Sequence, residues 1–206
     1  MLFIIGSTCF MIGPFPGYLS AVGYTADAVT FFVGSIFFTS AALLQYIEVV
    51  VTPDVPGARP RRRPLGVEFR RIDWWAAAVQ LVGTLWFNVT TFAALNTALT
   101  EVQARRRIWT PDVLGSICFL VASQLAFMEV GHRWFSWMPH RRSWQITALN
   151  LLGSILFGVS AIASFVLPTT GSPISVMWTN LGTCGGAICF LIGAVLLMPE
   201  RTHPDA

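Results

Sequence analysis

The chain has 206 residues, of which 54% are apolar and only 11% charged, with a net charge of +3. Soluble domains carry about 25% charged residues, so this composition excludes an ordinary soluble globule. The charges are segregated as well, leaving apolar runs long enough to cross a bilayer.

Six such runs are read in chain order, over residues 2–21, 27–51, 74–97, 111–130, 144–167 and 176–198. They predict an all-α fold: a multi-pass transmembrane bundle forming a single domain over 1–206. The first run lacks the basic leader of a signal peptide, so it is expected to be a retained span, bent or ended by Pro14 and Pro16. It is short at its start, because Met1 lies five residues before Gly6, whereas Trp74 and Trp144 each lie nine before their glycines.

Each run contains one phrase: Gly, then Ser, Thr or Ala, two further residues, then Phe. The copies are Gly6–Phe10, Gly34–Phe38, Gly83–Phe87, Gly115–Phe119, Gly153–Phe157 and Gly186–Phe190. Residues four apart share a helix face and side chains lean toward the N-terminal turn, so each Phe is expected to cover the spot its own Gly leaves bare. A neighbouring helix can then approach closely, which is how helices associate in lipid. Gly6, Gly34, Gly83, Gly115, Gly153 and Gly186, with Phe38, Phe87, Phe119, Phe157 and Phe190, are therefore the expected helix-packing residues. Gly182, Gly193, Ser154 and Gly158 extend the small-residue faces of the last two runs.

The even runs also share a glutamate ten residues after the Phe, at Glu48, Glu129 and Glu200. The third and fifth runs share an Arg-Arg and Trp preface, at Arg70–Trp74 and Arg141–Trp144, and matching polar residues at Gln80 and Asn150. The expected unit is thus an antiparallel helical hairpin present three times, over 1–51, 74–130 and 144–198, in parallel copies.

All 13 basic residues are Arg. Ten of them, including the Arg- and Pro-rich stretch 52–73, fall on one side; Arg105, Arg106 and Arg107 fall on the other. The positive-inside rule then places both termini in the cytoplasm of an inner-membrane protein. Seven of the eight Trp lie at run boundaries, an expected aromatic belt, and the Arg-rich loops are expected to meet anionic lipid headgroups rather than nucleic acid.

Chemistry is sparsely written. Glu48 and Glu129, with Asn88, Asn150 and Asn180, could form a polar pathway, but ion pairing and interhelical hydrogen bonding account for such groups more simply. Cys9, Cys118, Cys184 and Cys189 have no metal or redox spacing, and His132, His140 and His203 fit no metal site. No catalytic residue, cofactor site or metal site is expected. Phe31–Phe38 and Leu114–Leu120, with their Gly-Ser-x-x-Phe phrases, resemble the YrhK-like family of bacterial membrane proteins. That resemblance implies hairpin units and carries no activity. The reading is a non-enzymatic scaffold or accessory subunit, associating with a second copy or another membrane protein. The alternative is a small transporter or channel using the midplane Asn and Gln residues.

Overall fold

The computed structural model describes residues 1–53 and 65–202, with side chains through Met198. Arg59, Arg61, Arg62, Arg63 and His203, and the side chains of Glu200 and Arg201, lie outside the described residues. Within them the chain is all-helical: α1 (Leu2–Ile12), α2 (Pro16–Val51), α3 (Ile72–Ala94), α4 (Glu101–Gly131), α5 (Arg142–Ala163) and α6 (Val176–Thr202). Five of the six are long and apolar enough to cross a membrane, and the protein is a multi-pass membrane protein.

The first helix is the exception. It ends at Ile12 rather than at residue 21, and its 11 residues rise about 16 Å, half of a bilayer core. After a turn at Gly13–Phe15 the chain re-enters a helix at Pro16, which fills the N1 position it is suited to. That helix breaks at Gly23, where φ is +79°, before the true second span begins. Residues 16–22 therefore belong to an outer helical segment. Tyr18 ties it back through a 2.7 Å hydrogen bond to Thr30.

Consecutive helices pack antiparallel, and α1 also packs on α6, so the six close into a ring. The glycine phrase explains this ring geometrically. Successive residues in a helix are rotated by about 100°. With Gly at 0°, the Ser or Thr after it lies near 100° and the Phe near 40°. A helix in a closed ring of six has its two neighbours about 120° apart, with the bundle axis between them. Gly therefore faces one neighbour, Ser the other, and Phe the axis. The third residue of the phrase, near 200°, faces lipid. Ile36, Leu85, Ile117, Ile155 and Ile188 at this position are all exposed, while Gly, its successor and Phe are buried in every helix. Rotation sense reverses in an antiparallel neighbour, so the same phrase turns Gly toward Gly at alternate interfaces.

Those interfaces lie within the hairpins. A Cβ built on Gly153 would sit 3.0 Å from the Gly186 carbonyl oxygen, and one on Gly186 would sit 2.9 Å from that of Gly153. Gly83 and Gly115 face each other likewise, at 3.3 and 3.2 Å, and Gly6 lies 3.0 Å from the Gly34 oxygen by the same measure. The phenylalanines differ from the expectation in one respect. Each ring crosses to cover the glycine of the partner helix, not its own: Phe38 lies over Gly6 and Phe10 over Gly34, with Phe119, Phe87, Phe190 and Phe157 over Gly83, Gly115, Gly153 and Gly186. Cys9, Cys118 and Cys189 abut the partner glycine beside the ring, as small packing residues. Gly158 meets nothing within 4 Å and takes no part in packing, whereas Gly182 abuts the backbone of Leu156 and Ser160.

Having crossed, the six rings meet on the axis. Phe10, Phe87 and Phe157 form one triangle, with centroids 6.2, 6.2 and 5.9 Å apart. Phe38, Phe119 and Phe190 form a second, at 6.3, 6.2 and 5.7 Å. Within each hairpin the rings are 5.6, 5.2 and 5.4 Å apart, joining the triangles into one two-layer core. These are favourable aromatic separations.

Hydroxyls mark the interfaces between hairpins. Ser35 of α2 bonds Thr91 of α3 at 2.8 Å, and Ser154 of α5 bonds Ser123 of α4 at 2.7 Å. Thr91 and Ser123 each lie eight residues after their helix's glycine. Where the corresponding residue across the interface is Ala161 or Ala194, the phrase hydroxyl of Ser116 or Ser7 is buried with no partner.

At the end of the bundle where α1 begins, called the inner end as a label only, Trp74 Nε1 donates to the Gly66 carbonyl and Trp144 Nε1 to the Ser136 carbonyl, each eight residues back. Arg71 donates to the Val49 and Thr52 carbonyls, satisfying the end of α2, and pairs with Asp73. Trp74 and Trp144 are buried and pin loops, so they stand apart from the aromatic belt. Trp75, Trp134, Trp137 and Trp178 are the exposed ones.

Two matched pairs test this packing by unfolding in detergent. Gly153→Ala should destabilise by about 1–3 kcal/mol through overpacking against backbone, while Gly158→Ala should be neutral or stabilise by up to about 1 kcal/mol. Ser154→Ala should cost about 0.6 kcal/mol, and Ser116→Ala, which removes an orphaned hydroxyl, should cost nothing.

Candidate functional site

At the end of the ring opposite the Trp-pinned loops, the helices enclose a cavity of about 550 Å3. Its floor is the upper Phe triangle, represented by Phe10 and Phe87. Its walls carry hydroxyls from Thr90, Thr91, Ser160, Ser164, Thr179 and Thr183, and its charged groups are Glu101, Arg105 and Asp112.

The start of α4 shapes one wall. Thr100 and Gln103 form a reciprocal capping box, each side chain bonding the other's backbone, at 3.3 and 3.1 Å. The helix then widens into a π-turn over Arg105–Trp109, a feature frequent at functional sites. Two threonines serve its carbonyls: Thr110 donates to Arg105 at 2.9 Å, and Thr90 of α3 donates to Ile108 at 2.9 Å. Trp109 donates to the Ala161 carbonyl at 2.9 Å, and its ring packs edge-on to Phe165 with centroids 4.8 Å apart. The Arg105 guanidinium lies 5.1 Å from the centroid of the same Phe165 ring, a cation–π contact. Phe165 belongs to the loop joining α5 and α6, which doubles back on itself with Gly171 at φ +64°. A Cβ at Gly171 would be 3.7 Å from a Glu101 carboxylate oxygen, so this loop and Glu101 form the rim.

Asp112 lines the cavity one turn below Trp109. Its carboxylate has neither a hydrogen-bond nor an ion-pair partner among the described residues. Asp27, beside the lining residue Ala28, holds one carboxylate oxygen buried without a partner. Sequence reasoning passed over both because each sits at the first or second residue of a predicted run, where a charge reads as a headgroup contact. The signal was an aspartate enclosed by apolar sequence.

The residues singled out from the sequence are dispersed instead. Asn88 donates to Thr39 at 2.8 Å across the α2–α3 interface, leaving its carbonyl oxygen buried without a partner. Asn150 lies at the other end, in a vestibule of about 240 Å3 that also holds Gln45, Gln80 and Ser123 beneath Phe190. Asn180 is near the outer start of α6 and is absent from both linings. Glu48 lines a separate inner crevice of about 510 Å3 together with Arg71 and Asp73, where the short α1 leaves the wall incomplete. Glu129 is half-buried in α4. The three asparagines thus share no common lumen. No group of three or more His, Cys, Asp or Glu able to hold a metal occurs among the described residues.

Comparison with protein-family models, with curated proteins and with solved structures finds no match to this chain.

Proposed function

We propose that this protein is a non-enzymatic, non-conducting scaffold or accessory subunit of a bacterial inner membrane. In this reading its termini are cytoplasmic, its Arg-rich inner loops meet anionic headgroups, and its lipid-facing surface meets a second copy or another membrane protein. The three hairpins, with their reciprocal Gly and Phe contacts, are proposed to be copies of one duplicated unit akin to the YrhK-like hairpin.

The supporting observation is the aromatic double layer. The space it leaves, between Phe10, Ser35, Phe38, Phe87, Phe119 and Phe157, is a cavity of about 10 Å3. That is at or below the room one water molecule needs, and it is lined almost wholly by apolar rings. The outer cavity and inner vestibule lie on opposite sides of this plug, so a solute crossing would have to part both triangles. A carrier would also use polar groups along a shared path, and Asn88, Asn150 and Asn180 provide none. Interhelical hydrogen bonds account for Asn88 and for the Ser and Thr pairs.

Purified protein in liposomes should release neither protons, potassium nor an entrapped small dye above the protein-free rate. Solute release that scales with protein would overturn the non-conducting reading. Phe119→Ala, at a ring only 2% exposed, should cost about 3–5 kcal/mol of stability in detergent unfolding, as expected for a core rather than a gate.

A further inference from the structure

We propose that the outer cavity is a binding site for a small organic cation with an apolar body, its ammonium group held by the Asp112 carboxylate. The proposal goes beyond the scaffold reading and does not depend on it.

Size and wall chemistry support it first. About 550 Å3 falls within the range of small-molecule sites, which are mostly apolar with a few placed polar groups. Here Phe10, Phe31, Phe87, Trp109 and Phe165 supply aromatic surface, and aromatic faces attract ammonium groups.

Charge decides the sign of the ligand. The lining holds two carboxylates, Glu101 and Asp112, against one cation, Arg105. Arg105 is already engaged with the Phe165 ring at 5.1 Å. Glu101 is at the rim, where water reaches it. Asp112 lies further in, with no donor among the described residues satisfying it, and an isolated carboxylate in an apolar setting is costly unless a cation joins it. Arg106 and Arg107 are exposed and outside the lining, so within the cavity an anionic ligand would meet more carboxylates than cations. A bare metal ion would find one deep carboxylate and hydroxyls bonded within the protein, such as Ser160 with Thr183 and Thr90 with Ile108, rather than a cage of six or more free oxygens. An ammonium group on an apolar body fits both the field and the walls.

The hydroxyls set how much more the ligand can offer. Ser160 already donates to the Thr179 carbonyl at 2.8 Å and shares a 2.7 Å bond with Thr183, and Thr90 donates to Ile108. Their donors are spent, and the lone pairs left over turn the negative ends of their dipoles to the cavity, which suits a cationic ligand rather than one rich in acceptors.

The test uses the full chain in detergent micelles and a matched pair of probes, phenyltrimethylammonium and its neutral isostere tert-butylbenzene, with binding read by calorimetry. The expected result is one phenyltrimethylammonium bound per chain, at least about tenfold tighter than the isostere. Asp112→Asn should weaken the cation by about tenfold or more and leave the isostere unchanged, while Asp112→Glu should retain the preference. Equal affinity for the two probes, or no binding of the cation, would overturn the proposal on the unaltered protein alone. Undiminished cation binding by Asp112→Asn would overturn the assignment to that carboxylate. Solute flux through liposomes bears on the plug and is read separately.

Discussion

The contact on which the bundle depends is the backbone approach of two antiparallel helices at paired glycines, roofed on each side by the partner's phenylalanine. In lipid, apolar surface gains nothing by leaving one hydrocarbon environment for another, so helices associate through close van der Waals contact and a few hydrogen bonds. A glycine pair gives the first by removing every side-chain atom between the backbones. The crossing rings then fill the volume around that contact, and a cysteine beside the ring fills what remains. Because each ring serves the other helix, neither helix of a hairpin is complete without its partner.

The same phrase also sets the order of the ring. Gly faces within the hairpin, its Ser or Thr successor faces the adjacent hairpin, and Phe lies between them on the axis. Three functions in five residues follow from the 100° step of the helix. The interfaces are unequal in consequence. Close backbone packing holds each hairpin, and small hydroxyl residues join hairpins, with bonds at Ser35–Thr91 and Ser123–Ser154. Where Ala161 and Ala194 stand at the receiving positions, Ser116 and Ser7 remain without partners. The ring closes at α1 and α6 with fewer polar contacts than the other two junctions between hairpins show among the described residues, and on the helix with the least length to contribute.

The shortness of α1 breaks the threefold resemblance and gives the molecule two different ends. At the inner end the missing turns leave the crevice beside Glu48, Arg71 and Asp73. At the outer end the turn at residues 13–15 and the helical segment 16–22 stand where α1 would otherwise continue, with Gly23 kinking the chain before the second span. Beyond the aromatic plug, the helix ends, the π-turn of α4 and the α5–α6 loop enclose a cavity. The plug is closed because six equivalent rings meet at one level. The cavity exists because the residues above that level, Thr90, Asp112, Ser160 and Thr183 among them, are too small or too polar to meet on the axis.

Much of the architecture was legible in the chain. Hydropathy located the helices but not every end: α1 stops at Ile12 rather than 21, and α2 and α4 start at Pro16 and Glu101 rather than 27 and 111, so that Arg105–Arg107, expected in a loop, are helical. The recurring Gly and Phe marked the faces that meet, because a helix turns by a fixed angle per residue whatever surrounds it. The register of Trp74 and Trp144 before their glycines likewise pointed to similar inner loops, which share the same eight-residue tryptophan bond. Other features needed the fold. That the rings exchange partners and converge on one axis depends on how closely the helices approach. That Trp74 and Trp144 turn inward depends on the loop carbonyls waiting for them. The cavity around Asp112 gathers residues from all six helices and two loops, from Phe10 to Thr183, and no local pattern records such a convergence. The helices and the faces they turn to each other can be read along the chain, since both follow from local rotation and hydropathy; which groups share an enclosed space cannot, since that depends on distances between segments that never adjoin in sequence.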